Sequence, residues 1–142
     1  MAALRSFCES GVEFIVVGGL AAVLNGAPVD TYDVDLVYSR VPENVGRLLK
    51  LLGESHLAGS GHLNLLTRYG PMDLLAQIGQ GLGFAELLAG SNEMEIGAGV
   101  RVRVLNLETV ISVKEYLGSE KDLAALPVLR RTLEESRKRS GH

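Results

Sequence analysis

The sequence predicts an α/β fold in which a short mixed β-sheet is flanked by helices. Two segments point to this fold, because in each an apolar run typical of a buried strand is followed by a helical pattern: Phe14 to Leu24 and Val34 to Leu52. The chain has 142 residues, 46% of them hydrophobic and 22% charged, which are ordinary values for a globular protein. That length is typical of one domain and short for two, so we expect residues 1–142 to form a single domain.

The first part of the chain predicts helices and strands in alternation. Four apolar residues, Phe14-Ile15-Val16-Val17, indicate a strand buried on both faces, and Gly18-Gly19 is expected to end it. Helix formers follow up to Asn25-Gly26, a typical helix stop, and Gly53 closes the next helix. In chain order the predicted elements are a helix, a strand, a helix, a strand and a helix: Ala2–Glu9, Phe14–Val17, Leu20–Leu24, Val34–Tyr38 and Pro42–Leu52.

The second part predicts mostly strands, followed by two helical regions. A turn is expected at Tyr69-Gly70-Pro71, and a flexible connection from Gly79 to Gly83. Ser119 and Asp122 resemble a capping box for the last region, and Pro127 is expected to restart that region rather than lie inside one straight helix. The remaining predicted elements are strands at His62–Thr67 and Met72–Ile78, a helix at Phe84–Leu88, paired strands at Glu93–Ile96 and Val100–Leu105, and a helix at Thr109–Leu117.

Composition and charge exclude several classes of protein. A net charge of −3, 5% aromatic residues and no tryptophan argue against nucleic-acid binding by bulk electrostatics or by a base-stacking platform. The single cysteine, Cys8, excludes an intrachain disulfide and a cysteine-rich metal site, and it fits a reducing cytosol. The most apolar run, Phe14 to Leu24, is too short to span a bilayer, and the first residues lack signal-peptide features. We therefore expect a cytoplasmic protein that does not enter a membrane.

Three aspartates stand in strand-like contexts, where this residue type is normally depleted. Asp33 and Asp35 are two residues apart, so on a strand both carboxylates point to the same face, with their backbones roughly 6–7 Å apart. Asp73 lies among apolar residues of a later strand, where a carboxylate is costly unless it is paired, hydrogen-bonded, metal-bound or exposed. The three side chains could hold one magnesium ion or a pair; alternatively, Asp33 and Asp35 are solvated residues at a strand edge.

The diglycine Gly18-Gly19 lies where a buried strand is expected to turn into a helix. Backbone N–H groups with no Cβ in the way can approach a phosphate closely, and a helix N-terminus favours the anion. The same residues could serve packing alone, and neither the third glycine of a Rossmann fingerprint nor the lysine of a P-loop follows them. The glycines by themselves therefore leave phosphate binding and packing both open.

Taken together, these motifs resemble a known family. The segments Phe14–Gly26 and Thr31–Leu36 contain Gly-Gly-x-Ala and then Thr-x-Asp-x-Asp, and a third acid follows on a later strand. This pattern is similar to the nucleotidyltransferase superfamily with the DNA polymerase beta-like fold and, more narrowly, to its small bacterial branch related to AbiEii-type abortive-infection toxins. The resemblance extends from Phe14 to Leu129, since Lys114 and then Lys121-Asp122-Leu123 look like the C-terminal signature of that branch.

The resemblance implies a role for each motif residue. The diglycine would cradle the β- and γ-phosphates of a nucleoside triphosphate, and the lysine of the penultimate helix would reach the triphosphate. The first two acids would bind magnesium, and the third would help to bind it and act as a base toward the acceptor hydroxyl. The residues so implied are, for the nucleotide, Gly18, Gly19, Thr31 and Lys114 and, for the metal and catalysis, Asp33, Asp35 and Asp73.

The implied activity is magnesium-dependent transfer of a nucleoside monophosphate from a nucleoside triphosphate to a hydroxyl of an unknown acceptor: RNA, protein or a small molecule. The alternative is a catalytically degraded module for nucleotide binding or for interaction in a toxin–antitoxin pair. Val29 stands where family members often have arginine, so either Arg40 or Arg68 substitutes or the function is degraded. Because the chain is small for such an enzyme, a homodimer or a partner protein could complete the cleft, with the apolar stretch Leu82–Leu88 on that surface.

Overall fold

The computed structural model describes residues 2–31, 34–52, 63–67 and 70–140. Within these ranges the chain forms a six-stranded sheet, a separate two-stranded ribbon, and helices that pack against the sheet. The sheet contains both parallel and antiparallel neighbours. The predicted α/β fold with a mixed sheet flanked by helices is therefore confirmed.

Eight strands form the two sheets in the described ranges of the chain. In chain order they are β1 (Phe14–Val17), β2 (Val34–Tyr38), β3 (Leu63–Thr67), β4 (Gly70–Leu75), β5 (Gln77–Ile78), β6 (Leu82–Gly83), β7 (Ser91–Glu95) and β8 (Arg101–Leu105). The large sheet has the order β3-β4-β2-β1-β8-β7, and β5 pairs with β6 in the ribbon. β1 is antiparallel to β2 and parallel to β8, while β2 is parallel to β4.

The helices connect these strands and cover them. They are α1 (Ala2–Glu9), α2 (Gly18–Leu24), α3 (Pro42–Leu52), α4 (Phe84–Leu87), α5 (Leu107–Leu117) and α6 (Glu120–Ser140), with a 3-10 turn at Leu88–Gly90. The side chain of Asn106 caps α5 by accepting a hydrogen bond from the N–H of Thr109 (2.9 Å), and Gly118 ends that helix in the left-handed conformation. None of the helices in the described part of the chain is long and apolar enough to cross a bilayer.

The core forms around the central strand β1, whose four residues are all buried. Two strands flank β1, and α2 packs on β1, β2 and β8 as well as on α5. A strand enclosed in this way needs apolar side chains on both faces, which explains the continuous Phe-Ile-Val-Val run. Because α2 follows β1 directly, the first turn of α2 lies at the end of β1 and beside the start of β2.

One buried polar side chain fixes α3 against the sheet. Asn44, with 0% exposure, accepts a hydrogen bond from the N–H of Glu13 (2.6 Å) and donates to the carbonyls of Glu13 (3.0 Å) and Ser39 (2.7 Å). These three backbone groups lie just before β1 and just after β2, where a hydrogen bond from the Ser39 N–H to the Glu13 carbonyl (3.1 Å) continues the strand pairing. The amide of Asn44 therefore satisfies the Glu13 N–H and the Ser39 carbonyl, and it gives the Glu13 carbonyl a second donor.

Three predicted elements around β4 are wrong in detail: a turn, the end of a strand and a flexible connection. Gly70 and Pro71 belong to β4, where the sequence predicted a turn that includes Tyr69, a residue outside the described ranges. Pairing with β2 begins only at Met72, so Pro71 costs that ladder no hydrogen bond. The strand predicted to reach Ile78 stops at Leu75, and the flexible connection predicted after it instead contains β6 and helps to form the ribbon.

The last helix also differs from the prediction. Pro127 lies inside the continuous helix α6 instead of restarting it. Leu126 and Leu129, on either side of the proline, are buried in the core. Their burial offsets the loss of the hydrogen bond that proline cannot donate, so the helix continues through it.

The apolar stretch Leu82–Leu88, expected on an interaction surface, is divided between the core and the surface. Leu87 is buried in the core, and Leu82 and Phe84 pack against it. Leu88 is the large hydrophobic residue of this stretch that is exposed. The stretch therefore gives Leu87 to the core, and its contribution to an interaction surface stays a prediction.

Candidate functional site

Two acidic side chains lie side by side on neighbouring strands. β2 and β4 run parallel, and their register places Asp35 directly opposite Asp73. Register partners on adjacent strands point to the same face of a sheet, and neighbouring strands lie about 4.8 Å apart. Both aspartates are partly buried. The structure therefore brings together two of the three predicted acids, while Asp33 lies outside the described residues.

The diglycine lies against Asp35 and Thr31. Val17, the last residue of β1, is the register partner of Asp35, so the chain enters α2 beside this carboxylate. Gly18 has a φ of +65°, and a Cβ atom placed on it would lie 2.7 Å from Oδ2 of Asp35. A Cβ atom on Gly19 would lie 2.8 Å from Oγ1 of Thr31. Both glycines thus allow polar side chains to approach the backbone of α2 more closely than any other residue would.

The sequence placed this diglycine between a strand and a helix, whereas the structure includes it in the first turn of α2. Gly18 starts the helix in the left-handed region, which favours glycine over every other residue. Glycine is therefore favoured at position 18 for two reasons: the backbone there is left-handed, and the Asp35 carboxylate leaves no space for a Cβ atom.

An open cavity of about 640 Å³ lies beside the diglycine. Its polar lining comes from the start of α2, the segment before β2, and the last two helices: Gly18, Gly19, Asp30, Thr31, Asp35, Lys114, Lys121 and Asp122. The rest of the lining is apolar: Val17, Ala22, Val29, Leu75, Ile78, Leu105, Val110, Val113, Leu117, Ala125 and Leu129. All four residues that the sequence suggested for nucleotide binding share this cavity with Asp35, and Asp73 adjoins it through its pairing with Asp35.

A lysine–aspartate ion pair lies in the cavity wall. Nζ of Lys114, on α5, lies 3.5 Å from Oδ1 of Asp122, on α6, and the two side chains are only 19% and 18% exposed. The Ser119 hydroxyl donates a hydrogen bond to Oδ2 of Asp122 (2.6 Å) and accepts one from its backbone N–H (3.1 Å). The Ser119 hydroxyl, followed by the charge of Lys114, lowers the pKa of the Asp122 carboxyl despite the opposing effect of burial. Asp122 is therefore a carboxylate at neutral pH.

Asp30, Lys121 and Asp122 line the cavity as well; the sequence marked Lys121 and Asp122 as part of a C-terminal signature without a place at the site, and it gave Asp30 no role. The Ser-x-x-Asp pattern identifies Asp122 only as a helix-capping residue, a role that the hydrogen bonds with Ser119 bear out. No local pattern pairs Asp122 with a lysine on the preceding helix. The antiparallel arrangement of α5 and α6 around Gly118 is what brings them together.

The arginine expected near the site is not supplied by Arg40. Arg40 follows the end of β2 that lies opposite to Asp35, so it is remote from the cavity. Arg68, the other candidate, lies outside the described residues. Val29, at the position where the resembled family often has arginine, lines the cavity as an apolar residue. Within the described residues, the cations of the cavity are Lys114 and Lys121.

The donor chemistry of the site fits a hard divalent cation. Asp35 and Asp73 offer carboxylate oxygens on one face of the sheet, and oxygen ligands are those that magnesium prefers. A cation between them would also offset the repulsion between two neighbouring negative charges. The described residues contain no cluster of three or more acidic, histidine or cysteine side chains able to hold a metal ion.

No protein-family model and no curated protein matches the sequence. Solved structures do match its fold. The Thermotoga maritima protein TM1012, assigned as a nucleotidyltransferase, has a TM-score of 0.62 at 20% identity, and the match covers 93% of this chain and 88% of that chain. The antibiotic-resistance factor ANT(2'')-Ia has a TM-score of 0.60 at 19% identity, with 92% and 80% covered.

The lincosamide antibiotic adenylyltransferase LnuA, in its lincomycin-bound form, has a TM-score of 0.63 at 13% identity, and the match covers 91% of this chain and 92% of that chain. At such identities the likeness concerns the fold, which is that of nucleotidyltransferases. None of these matches singles out the AbiEii-related branch that the sequence suggested.

Proposed function

We propose that this protein is a magnesium-dependent nucleotidyltransferase that transfers a nucleoside monophosphate from a nucleoside triphosphate to an acceptor hydroxyl. The observation that supports this most directly is the register pairing of Asp35 with Asp73, with Asp35 packed against Gly18 in the lining of the cavity. The nucleotidyltransferase fold of the matched structures, one of them an adenylyltransferase, supports the same class of reaction.

In this proposal the acidic residues serve metal binding and proton transfer. Asp35 and Asp73, together with Asp33, would hold magnesium, which when bound neutralises phosphate charge and lowers the pKa of the attacking hydroxyl. The acceptor oxygen forms a bond to the α-phosphorus, and the bond from that phosphorus to the pyrophosphate oxygen breaks. Asp73 accepts the proton of the acceptor hydroxyl. Its register with Asp35 puts its carboxylate beside the proposed metal site, and its partial exposure lets an acceptor reach it.

The cavity residues serve nucleotide binding. Gly18 and Gly19 line the cavity at the start of α2, so we assign their backbone N–H groups to the β- and γ-phosphates. The ammonium group of Lys114 supplies positive charge to the triphosphate, and Thr31 lines the cavity beside Gly19. A cavity of about 640 Å³ is of the size that holds one small molecule. If the nucleotide fills it, the acceptor has to approach from its open side.

The direct test is label transfer. The purified protein is incubated with each of the four α-³²P nucleoside triphosphates, with magnesium or with chelator, and with RNA, protein extract or a small-molecule hydroxyl panel as acceptor. We expect magnesium-dependent labelling of one acceptor class, and a loss of roughly a hundredfold or more in Asp35→Asn and in Asp73→Asn. Glu95→Gln, an exposed acid on β7 away from the cavity, is the matched control and keeps the wild-type rate.

The outcomes separate the alternatives. Magnesium-dependent triphosphate binding without transfer to any acceptor would identify a nucleotide-binding module that has lost turnover. If the wild-type protein binds no triphosphate in a calorimetric titration, the proposed function is wrong. Sedimentation of the same sample, with and without an acceptor, tests whether a homodimer or a partner protein completes the cleft.

A further inference from the structure

We propose that Asp122 is a positioning residue for Lys114, holding its ammonium group inside the cavity at the place where the triphosphate would bind. The inference rests on the proposed function, because it concerns how the nucleotide pocket is built. Lys114 lies on α5 and Asp122 on α6, and both side chains line the cavity beside the diglycine. Asp122 would thus act through Lys114 and not on the nucleotide itself.

The surroundings explain why Lys114 needs such a partner. Val113, Leu117 and Ala125 line the same cavity, so the lysine emerges from a largely apolar wall. A lysine side chain is long and flexible, and at an apolar surface its ammonium group extends toward water unless an opposite charge holds it. The Asp122 carboxylate lies 3.5 Å from Nζ of Lys114 and provides that charge within the cavity.

Asp122 is itself held in place. The Ser119 hydroxyl donates to Oδ2 of Asp122 (2.6 Å), while Oδ1 faces Lys114. The left-handed residue Gly118 forms the tight turn that brings the start of α6 beside the end of α5. The carboxylate is therefore fixed by its own helix terminus, and it can fix the orientation of the lysine in turn.

A purely structural interpretation would make this pair one of several links between the last two helices. The chain contains a matched example of such a link, because Arg130 on α6 pairs with Glu115 on α5 at 2.6 Å. Those two side chains are 54% and 49% exposed, and neither lines the cavity. The two ion pairs join the same helices, but only the Lys114–Asp122 pair faces the proposed nucleotide site.

The test measures binding of inorganic tripolyphosphate with magnesium by calorimetry in four variants of the full chain. We expect Lys114→Met and Asp122→Asn each to weaken binding about tenfold, and Glu115→Gln to leave it within about twofold of the wild type. The double variant Lys114→Met with Asp122→Asn is expected to bind no more weakly than Lys114→Met alone, because Asp122 acts through the lysine. A merely structural link between α5 and α6 predicts instead that Asp122→Asn leaves binding as little changed as Glu115→Gln does.

The outcomes are distinct. If Asp122→Asn binds tripolyphosphate as well as or better than the wild type, the carboxylate does not position the lysine and the inference is overturned. Additive losses in the double variant overturn it as well. If the wild-type protein binds neither tripolyphosphate nor any nucleoside triphosphate, the proposed function itself is wrong. The wild-type titration alone gives this result, so it is distinguished from a failure of the inference about Asp122. Denaturant unfolding of each variant shows that it is folded in the titration.

Discussion

The carboxylate of Asp35 occupies space that glycine at position 18 leaves open. A Cβ atom on Gly18 would lie 2.7 Å from Oδ2 of Asp35, closer than any real Cβ contact. Asp35 is at the same time the register partner of Asp73. The backbone proposed to receive phosphate is therefore in direct contact with Asp35, one of the carboxylates proposed to hold magnesium.

The substitution Gly18→Ala tests this contact, with Gly26→Ala as its matched control. Both glycines have positive φ values, +65° and +96°, but a Cβ at Gly26 would meet nothing within 4 Å. Each alanine should lower the free energy of unfolding by about 1–2 kcal/mol, because it must adopt a left-handed conformation. Gly18→Ala alone should also displace Asp35 and reduce magnesium-dependent triphosphate binding at least tenfold. Equal binding by the two variants in calorimetry would contradict the contact.

The buried amide of Asn44 should be one of the most sensitive positions in the fold. Asn44→Ala removes three hydrogen bonds to the backbone of Glu13 and Ser39. The buried Ser39 carbonyl loses its side-chain partner, and the substitution also empties the space of a fully buried side chain, so we expect the free energy of unfolding in urea to fall by about 2–4 kcal/mol. Asn92→Ala, at an exposed position on β7, should change it by less than about 0.5 kcal/mol. A loss below 1 kcal/mol at position 44 would show that the network is not needed.

Proline within α6 should lower the stability of the protein. Pro127 lies in the eighth position of α6 and is exposed, so Pro127→Ala loses little packing and gains a helical N–H donor. We expect urea denaturation to show a gain of about 1–2 kcal/mol after allowing for the added freedom of the unfolded chain. Pro42→Ala, at the first position of α3 where proline is well tolerated, should give no gain. A decrease in stability for Pro127→Ala would mean that proline is needed at this position.

Stability should depend on Asp122 below about pH 4. Its contacts lower the pKa of the folded carboxyl beneath the ordinary value of 3.8, so the unfolded chain takes up this proton first. The stabilisation is therefore fully present above that value, and it is lost as the pH falls through the lower pKa of the folded state. Urea unfolding curves between pH 6 and pH 2.5 should show a smaller acid-induced loss for Asp122→Asn than for the wild type. Parallel curves for the two proteins would contradict the prediction.

Local patterns in the sequence predict the elements that meet at the site. The apolar run of β1, the strand β2 and the cap of α6 all follow from side-chain periodicity and from residues close in the chain. Where the prediction was wrong, interactions with residues outside the segment decided the outcome, from a neighbouring strand for β4 and from the core for α6. Strand pairing with β3 extends β4 back to Gly70, and the burial of Leu126 and Leu129 carries α6 through Pro127.

The sequence by itself determined that Asp35 lies on a strand, that a diglycine follows a buried strand, and that Asp122 caps a helix, because each depends on neighbours within a few residues. Only the tertiary structure decided that Asp35 stands opposite Asp73, that Gly18 makes room for its carboxylate, and that Lys114 meets Asp122 in one cavity. These relationships depend on strand register and on the packing of α5 and α6. Strand register and helix packing are set by apolar residues from distant parts of the chain that are buried together in one core. No short stretch of sequence therefore encodes them.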